Sequence, residues 1–149
     1  MAIELTNRGI GKVAGMAALL PNQPIFHNCR VVGDTALKVG DIVALGTGGN
    51  KDVPAVKKAA VTDMPLGVVA YGCIKTGYAT TDIVSVFPDN ACVYLPAKNA
   101  NITRGAKLQF DADGKVAATT TASNGYIGIA LTEPVAADDL IVVQIKASK

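Results

Sequence analysis

Apolar residues in this chain come in short runs that alternate with polar ones or fill four to six positions. Turn residues break the runs about every 8 to 12 positions, which is the signature of an all-β chain. Ten strands are predicted: Ile25–Val32, Ile42–Leu45, Val53–Val56, Leu66–Tyr71, Ile83–Phe87, Cys92–Leu95, Lys107–Phe110, Lys115–Ala118, Tyr126–Leu131 and Leu140–Lys146. Alternation is clearest in the last, where Ile141, Val143 and Ile145 share one face and Gln144 and Lys146 the other. Asp111-Ala112-Asp113-Gly114 predicts a tight hairpin, its Asp-Gly supplying positive φ. Gly46-Thr47-Gly48-Gly49-Asn50 predicts a longer one.

Residues 1–23 differ in kind from the rest of the chain. Val13, Met16, Ala17 and Leu20 follow i, i+3, i+4, i+7 spacing, so this N-terminal arm is either a short amphipathic helix or extended. Two helical turns are marginal alone, so the arm needs a partner surface. Its candidate partner-contact residues are Ile3, Leu5, Ile10, Val13, Met16, Leu19 and Leu20. Lys12 and the apolar stretch after it resemble a signal peptide, but Glu4, Gly15 and Pro21-Asn22-Gln23-Pro24 do not fit one. The expected organisation is an arm (1–23) and a β domain (24–149).

The β domain repeats itself, over about 35–87 and 100–146. Leu37-Lys38-Val39-Gly40-Asp41-Ile42-Val43-Ala44-Leu45 aligns with Ile102-Thr103-Arg104-Gly105-Ala106-Lys107-Leu108-Gln109-Phe110 at an offset of 65. Gly67-Val68-Val69-Ala70 aligns with Gly128-Ile129-Ala130-Leu131 at 61, and Asp82-Ile83-Val84-Ser85-Val86 with Asp139-Leu140-Ile141-Val142-Val143 at 57. Only loop lengths differ, and Val43 and Leu45 fall on the same face as Leu108 and Phe110. The Gly-led strand is apolar on both faces and therefore central. The expected fold is all-β: a small β-barrel or sandwich of two similar four-stranded units.

Composition narrows the classes. Half of the 149 residues are hydrophobic, only 5% are aromatic, and 17% are charged, against about 25% in an average domain. High apolar content with few charges excludes disorder. The 15 Gly and 7 Pro argue against a helical bundle. No apolar run is long enough for a spanning helix, so no membrane partner is expected. A net charge of +2 without a Lys/Arg run gives no footprint for nucleic acid. Cys29, Cys73 and Cys92 are odd in number and widely spaced, and read as buried thiols of a reducing compartment.

No catalytic constellation stands out, and no cofactor or metal is expected. Asp41, Asp82, Asp111, Asp113, Asp138 and Asp139 fall at predicted turns and strand edges, where turn chemistry accounts for them. His27, the single histidine, has no matching nucleophile motif, though Cys29 would share its face. Gly46 to Lys51 lacks the spacing of a phosphate loop.

The pattern Leu37-x-x-Gly40-Asp41-x-Val43-x-Leu45, Pro65-Leu66-Gly67-Val68-Val69 and Ile83-Val84-Ser85-Val86, repeated from Ile102 to Val143, resembles the head-decoration (cement) proteins of tailed bacteriophages. The resemblance covers about residues 24–149. It implies a small β-barrel or β-tulip body, no enzymatic activity, and attachment outside an assembled capsid. The implied partner is the major capsid protein, bridged at the junctions between its hexamers, with the cement protein commonly a homotrimer. The implied location is the virion surface after synthesis in the host bacterial cytoplasm. Charge depletion fits a protein that buries much surface against neighbours. The alternative reading is a cytosolic β-barrel or sandwich module for a peptide or small ligand.

Overall fold

The computed structural model describes residues 13–18, 22–72, 75–121 and 124–146. Every regular element among them is a strand: β1 (Phe26–Val31), β2 (Leu37–Lys38), β3 (Ile42–Leu45), β4 (Ala55–Lys58), β5 (Pro65–Val69), β6 (Gly77–Tyr78), β7 (Ile83–Phe87), β8 (Cys92–Pro96), β9 (Lys107–Phe110), β10 (Val116–Thr119), β11 (Tyr126–Ala130) and β12 (Leu140–Ile145). All ten predicted strands are present. Lys57 and Lys58 extend β4 two residues past the predicted end, because they pair with Ala44 and Val43. The short pair β2–β6 was not expected; two residues per strand leave no periodicity to read.

Strands β1, β4, β3, β5 and β7 close into a barrel in that order. Its ends meet twice: β1 runs parallel to β4, with Val31 opposite Val56, and antiparallel to β7, with Cys29 opposite Val84. Strands β10, β9, β11, β12 and β8 form a second sheet in that order. Its two edges meet at a parallel bridge between Ala97 and Val116. The chain therefore traces the same path twice, with five strands per unit where four were expected. The additional strand is the first of each unit, β1 or β8, which lies ahead of the matched sequence blocks.

Equivalent hydrogen bonds recur in detail. The Val32 N–H donates to the Val56 carbonyl (2.9 Å), as Lys98 does to Val116 (2.8 Å). Val31 N–H donates to Asp82 O and Ala97 N–H to Asp139 O, both at 2.9 Å. The carboxylate of Asp82 accepts from the Ala79 N–H, and that of Asp139 from the Ala136 N–H, each 2.8 Å and three residues back. The residue before each aspartate, Thr81 or Asp138, has positive φ (81° and 69°).

Each Gly-led strand is paired on both sides, β5 with β3 and β7 and β11 with β9 and β12, and the glycines explain how. A Cβ on Gly67 would lie 2.0 Å from the Phe87 carbonyl oxygen, and one on Gly128 2.0 Å from the Gln144 carbonyl oxygen. Each glycine sits beside a register shift in the ladder to the hairpin strand. Such irregularities bend a strand and tighten its twist, which a barrel of five short strands requires.

Two apolar clusters fill the units. Cys29, Val31, Leu37, Val43, Val56, Val69, Val84 and Val86 occupy the first barrel. Leu95, Leu108, Phe110, Val116, Ile127, Ile141, Val143 and Ile145 belong to the second unit's cluster. Ile42, Ala44, Val68 and Phe87 of the first unit join that second cluster. Strand alternation puts Ile42 and Ala44 on the outside of β3, opposite Val43. The outer wall of the first barrel is thus part of the second unit's core, while the first barrel keeps a separate interior of its own. Burying side chains of this size contributes about 1.5–3 kcal/mol each.

Candidate interaction surfaces

The arm comes first in the chain and packs on the second unit. Residues 15–18 lie along β8, the edge strand, with Ala17 bridged antiparallel to Val93. Gly15 and Ala18 donate to the Tyr94 and Cys92 carbonyls (2.9 and 2.8 Å), and the Tyr94 N–H donates to Met16 O (3.0 Å). Of the two expectations, the helix is not formed: the Met16 N–H donates to Val13 O (3.0 Å) across a turn at residues 14–15, and the chain then runs extended through Ala17. Its backbone groups pair across to β8, and Gly15 has φ of 78°, outside the helical region. The arm covers an edge that would otherwise present unpaired backbone groups. Met16 and Ala18 pack with Cys92, Tyr94 and Val142, and Val13 lies against the same cluster. Of the predicted partner-contact residues, Val13 and Met16 therefore face the chain's own body. Ile3, Leu5, Ile10, Leu19 and Leu20 lie outside the described residues. Gln23 fastens the route into β1: its side chain donates to Ala18 O and accepts from the Cys92 N–H.

One end of the first barrel is apolar and open. Phe26 starts β1, Leu45 ends β3, Met64 lies in the β4–β5 turn, and Pro65 and Leu66 start β5. Met64, Leu45 and Phe26 are 71%, 62% and 45% exposed. Two adjoining shallow clefts of about 370 and 320 Å³ share Leu45 and Leu66 as a common wall. Phe26 and Pro54 complete the first, Met64 and Pro65 the second. The rim is polar. Lys57 Nζ lies 3.1 Å from the Asp63 carboxylate, which also accepts from the Ala60 N–H (2.9 Å). That backbone bond, then Lys57, holds the Asp63 carboxyl below the usual carboxylate range. His27 is exposed, its Nδ1 3.2 Å from Ser85 Oγ. Apolar patches of this kind, rimmed by polar groups, mark surfaces that meet other molecules.

The remaining candidate residues serve the fold. Asp41 is 4% exposed and caps its turn by accepting from the Lys38 N–H (2.8 Å). Asp111 accepts from the N–H groups of Asp113 and Lys115 (3.0 and 3.1 Å), which shapes the β9–β10 hairpin. Asp138 pairs with Lys115 Nζ (2.6 Å), and Asp139 closes the turn before β12. Gly46 to Asn50 joins the antiparallel strands β3 and β4 as a hairpin loop, with Gly48 and Gly49 at positive φ. Cys29 and Cys92 are buried free thiols, and burial pushes both pKa values up. Cys73 lies outside the described residues. No group of three or more metal-binding side chains occurs among the described residues.

Fold and surfaces together describe the class: an all-β body of two units with an arm along β8 and an apolar open end. The chain matches the family model of phage cement proteins over residues 27–145, and it belongs to that family. It is therefore a structural protein of the phage capsid. The head fiber gp8.5 N base of bacteriophage phi29 has a similar fold, with a TM-score of 0.58 at 21% identity. That match covers 85% of this chain and 96% of the phi29 chain. No curated protein matches the chain.

Proposed function

We propose that this protein binds the exterior of an assembled phage capsid and stabilises it by bridging major capsid protein subunits. The observation that carries the reading is the cement-family match, which spans both units and not one strand motif. The mechanism is thermodynamic. A protein that binds the assembled shell, and not its free subunits, stabilises the shell by mass action. A copy that touches several subunits gains further from multivalency. The N-terminal arm supplies a second contact through Ile3, Leu5, Ile10, Leu19 and Leu20. The protein assembles as a homotrimer, is made in the host cytoplasm and resides on the virion surface.

The test is direct. Purified protein is mixed with empty expanded shells of the phage that encodes it, sedimented, and the shells are then heated. Saturable co-sedimentation and a raised shell melting temperature are expected. Shells that neither retain the protein nor gain stability would overturn the reading. Analytical ultracentrifugation of the free protein and particle imaging of the complex report the trimer.

A further inference from the structure

The duplicated topology allows the two units to be compared position by position, and one end is treated differently in each. Phe26 pairs with Val86 in the first unit as Val93 pairs with Val143 in the second, so Phe26 corresponds to Val93. Leu45 corresponds to Phe110, and Leu66 to Ile127. In the second unit these positions are closed: Val93 and Ile127 are 0% exposed and Phe110 4%. In the first unit Phe26 and Leu45 are largely exposed. Val93, Phe110 and Ile127 share one buried cluster with the outer wall of the first barrel: Ile42, Ala44, Val68 and Phe87. The β4–β5 turn contributes too, since Val61 O lies 3.6 Å from where a Cβ on Gly125 would stand, and Gly125 is hydrogen-bonded to Phe110.

The same end of the same fold is thus buried once and left open once. The second unit's wall does not supply the missing cover. At the positions of Ile42, Ala44 and Phe87 it carries Lys107, Gln109 and Gln144, and the first two are exposed. Placing that wall from another copy on Leu45 and Phe26 would bury a lysine and two amides without partners, which is costly. Stacking of the tandem units therefore ends at the first barrel. The apolar end nevertheless keeps the chemistry of a surface made to be covered.

Resting on the cement reading, we infer that the open end of the first barrel is the surface that docks on the capsid shell. Its occupant is an apolar, small-residue β surface of a shell subunit, similar in chemistry to the Ile42–Ala44–Val68–Phe87 wall that joins the second unit's core. Leu45, Met64 and Phe26 enter that contact, and Asp63, Lys57 and His27 form its polar rim, the anatomy of a specific protein interface.

The test uses the full-length chain carrying Leu45→Lys with Met64→Glu. Both side chains are exposed, so the fold tolerates the change, and an unaltered thermal melt verifies this. Val135→Lys, at a residue 89% exposed outside the patch, is the matched control. Shell affinity is read by co-sedimentation and oligomeric state by ultracentrifugation. The expected result is a loss of shell affinity of roughly tenfold or more for the double variant. The control should bind as the parent does, and neither variant should change its oligomeric state. Parent-like shell binding by the double variant overturns the proposal while leaving the cement reading intact. A changed oligomeric state in that variant assigns the patch to a second copy and also overturns it. If the unsubstituted protein fails to bind shells, the cement reading itself falls.

Discussion

Gly15 of the arm and Gly40 of the first barrel lie back to back. A Cβ on Gly15 would come within 2.6 Å of Gly40 N and 2.4 Å of the Val69 carbonyl, and one on Gly40 within 2.6 Å of Ala14 Cβ. Gly15 also joins the two units: its N–H donates to Tyr94 O (2.9 Å) and its carbonyl accepts from the Tyr71 N–H (3.0 Å). Gly15→Ala is expected to destabilise the protein by about 1–3 kcal/mol through overpacking. Positive φ adds roughly 1 kcal/mol. Urea denaturation measures it, and an unchanged midpoint would show that the arm does not seat here.

Truncation should separate the described arm from the residues before it. Removing residues 1–12 takes away none of the contacts made by Met16 and Ala18, so the melting temperature is expected to hold while shell attachment weakens. Removing residues 1–20 uncovers Cys92, Tyr94 and Val142 and frees the β8 edge. The β signal in circular dichroism should persist, because both ladders remain, but the melting temperature should fall by several degrees. A collapse of that signal would place the arm inside the folding core.

Gly67→Ala and Gly128→Ala should cost similar amounts, about 2 kcal/mol or more each, since both drive a Cβ onto a neighbouring carbonyl oxygen. Chemical denaturation of the two variants tests the equivalence. A harmless Gly128→Ala beside a severe Gly67→Ala would show that the two units do not bend by the same device.

Acid stability should depend in part on Asp82. Lys75, then the Ala79 N–H, hold its carboxyl below the ordinary value of 3.8. A carboxyl lowered on folding stabilises above its unfolded pKa, and that contribution is lost as pH falls through the folded value. Asp82→Asn should therefore melt below the parent near neutral pH. The gap should narrow once the pH drops below about 4 and vanish at more acidic pH. A gap that stays constant across this range would contradict the assignment.

Cys29 and Cys92 should resist thiol reagents in the folded protein, because burial both hides them and disfavours the thiolate. Site-resolved labelling by mass spectrometry, with and without denaturant, reads each one. Rapid labelling of Cys29 in the native state would mean that the first barrel opens readily.

Much of the fold was legible because β periodicity and turn chemistry are local. Gly67 and Gly128 signal a central strand, and Asp111 to Gly114 a hairpin, without reference to distant residues. The duplication was legible for the same reason, since three blocks repeat in order. The first strands β1 and β8 escaped it because their sequences, Phe26 to Val31 and Cys92 to Pro96, diverge around a bulge at Asn28, whose φ is 62°. The arm misled because Val13, Met16, Ala17 and Leu20 suit a helix, whereas its hydrogen bonds go to β8, some 80 residues along the chain. The open end was not legible at all. Leu45 and Phe110 look alike in sequence, and only the packing of one unit on the other shows which is covered.

The second unit's core, built in part from the first barrel's wall, also imposes an order in time. The first barrel holds every strand it needs once the chain has been made as far as Phe87. Its outer wall of Ile42, Ala44, Val68 and Phe87 then waits for strands that end only at Ile145. During synthesis the half-made protein carries a bare apolar sheet face, the kind of surface that draws nascent chains into aggregates. Translation that stalls between the two units should therefore yield insoluble product, and the second unit serves as a lid that the ribosome delivers last.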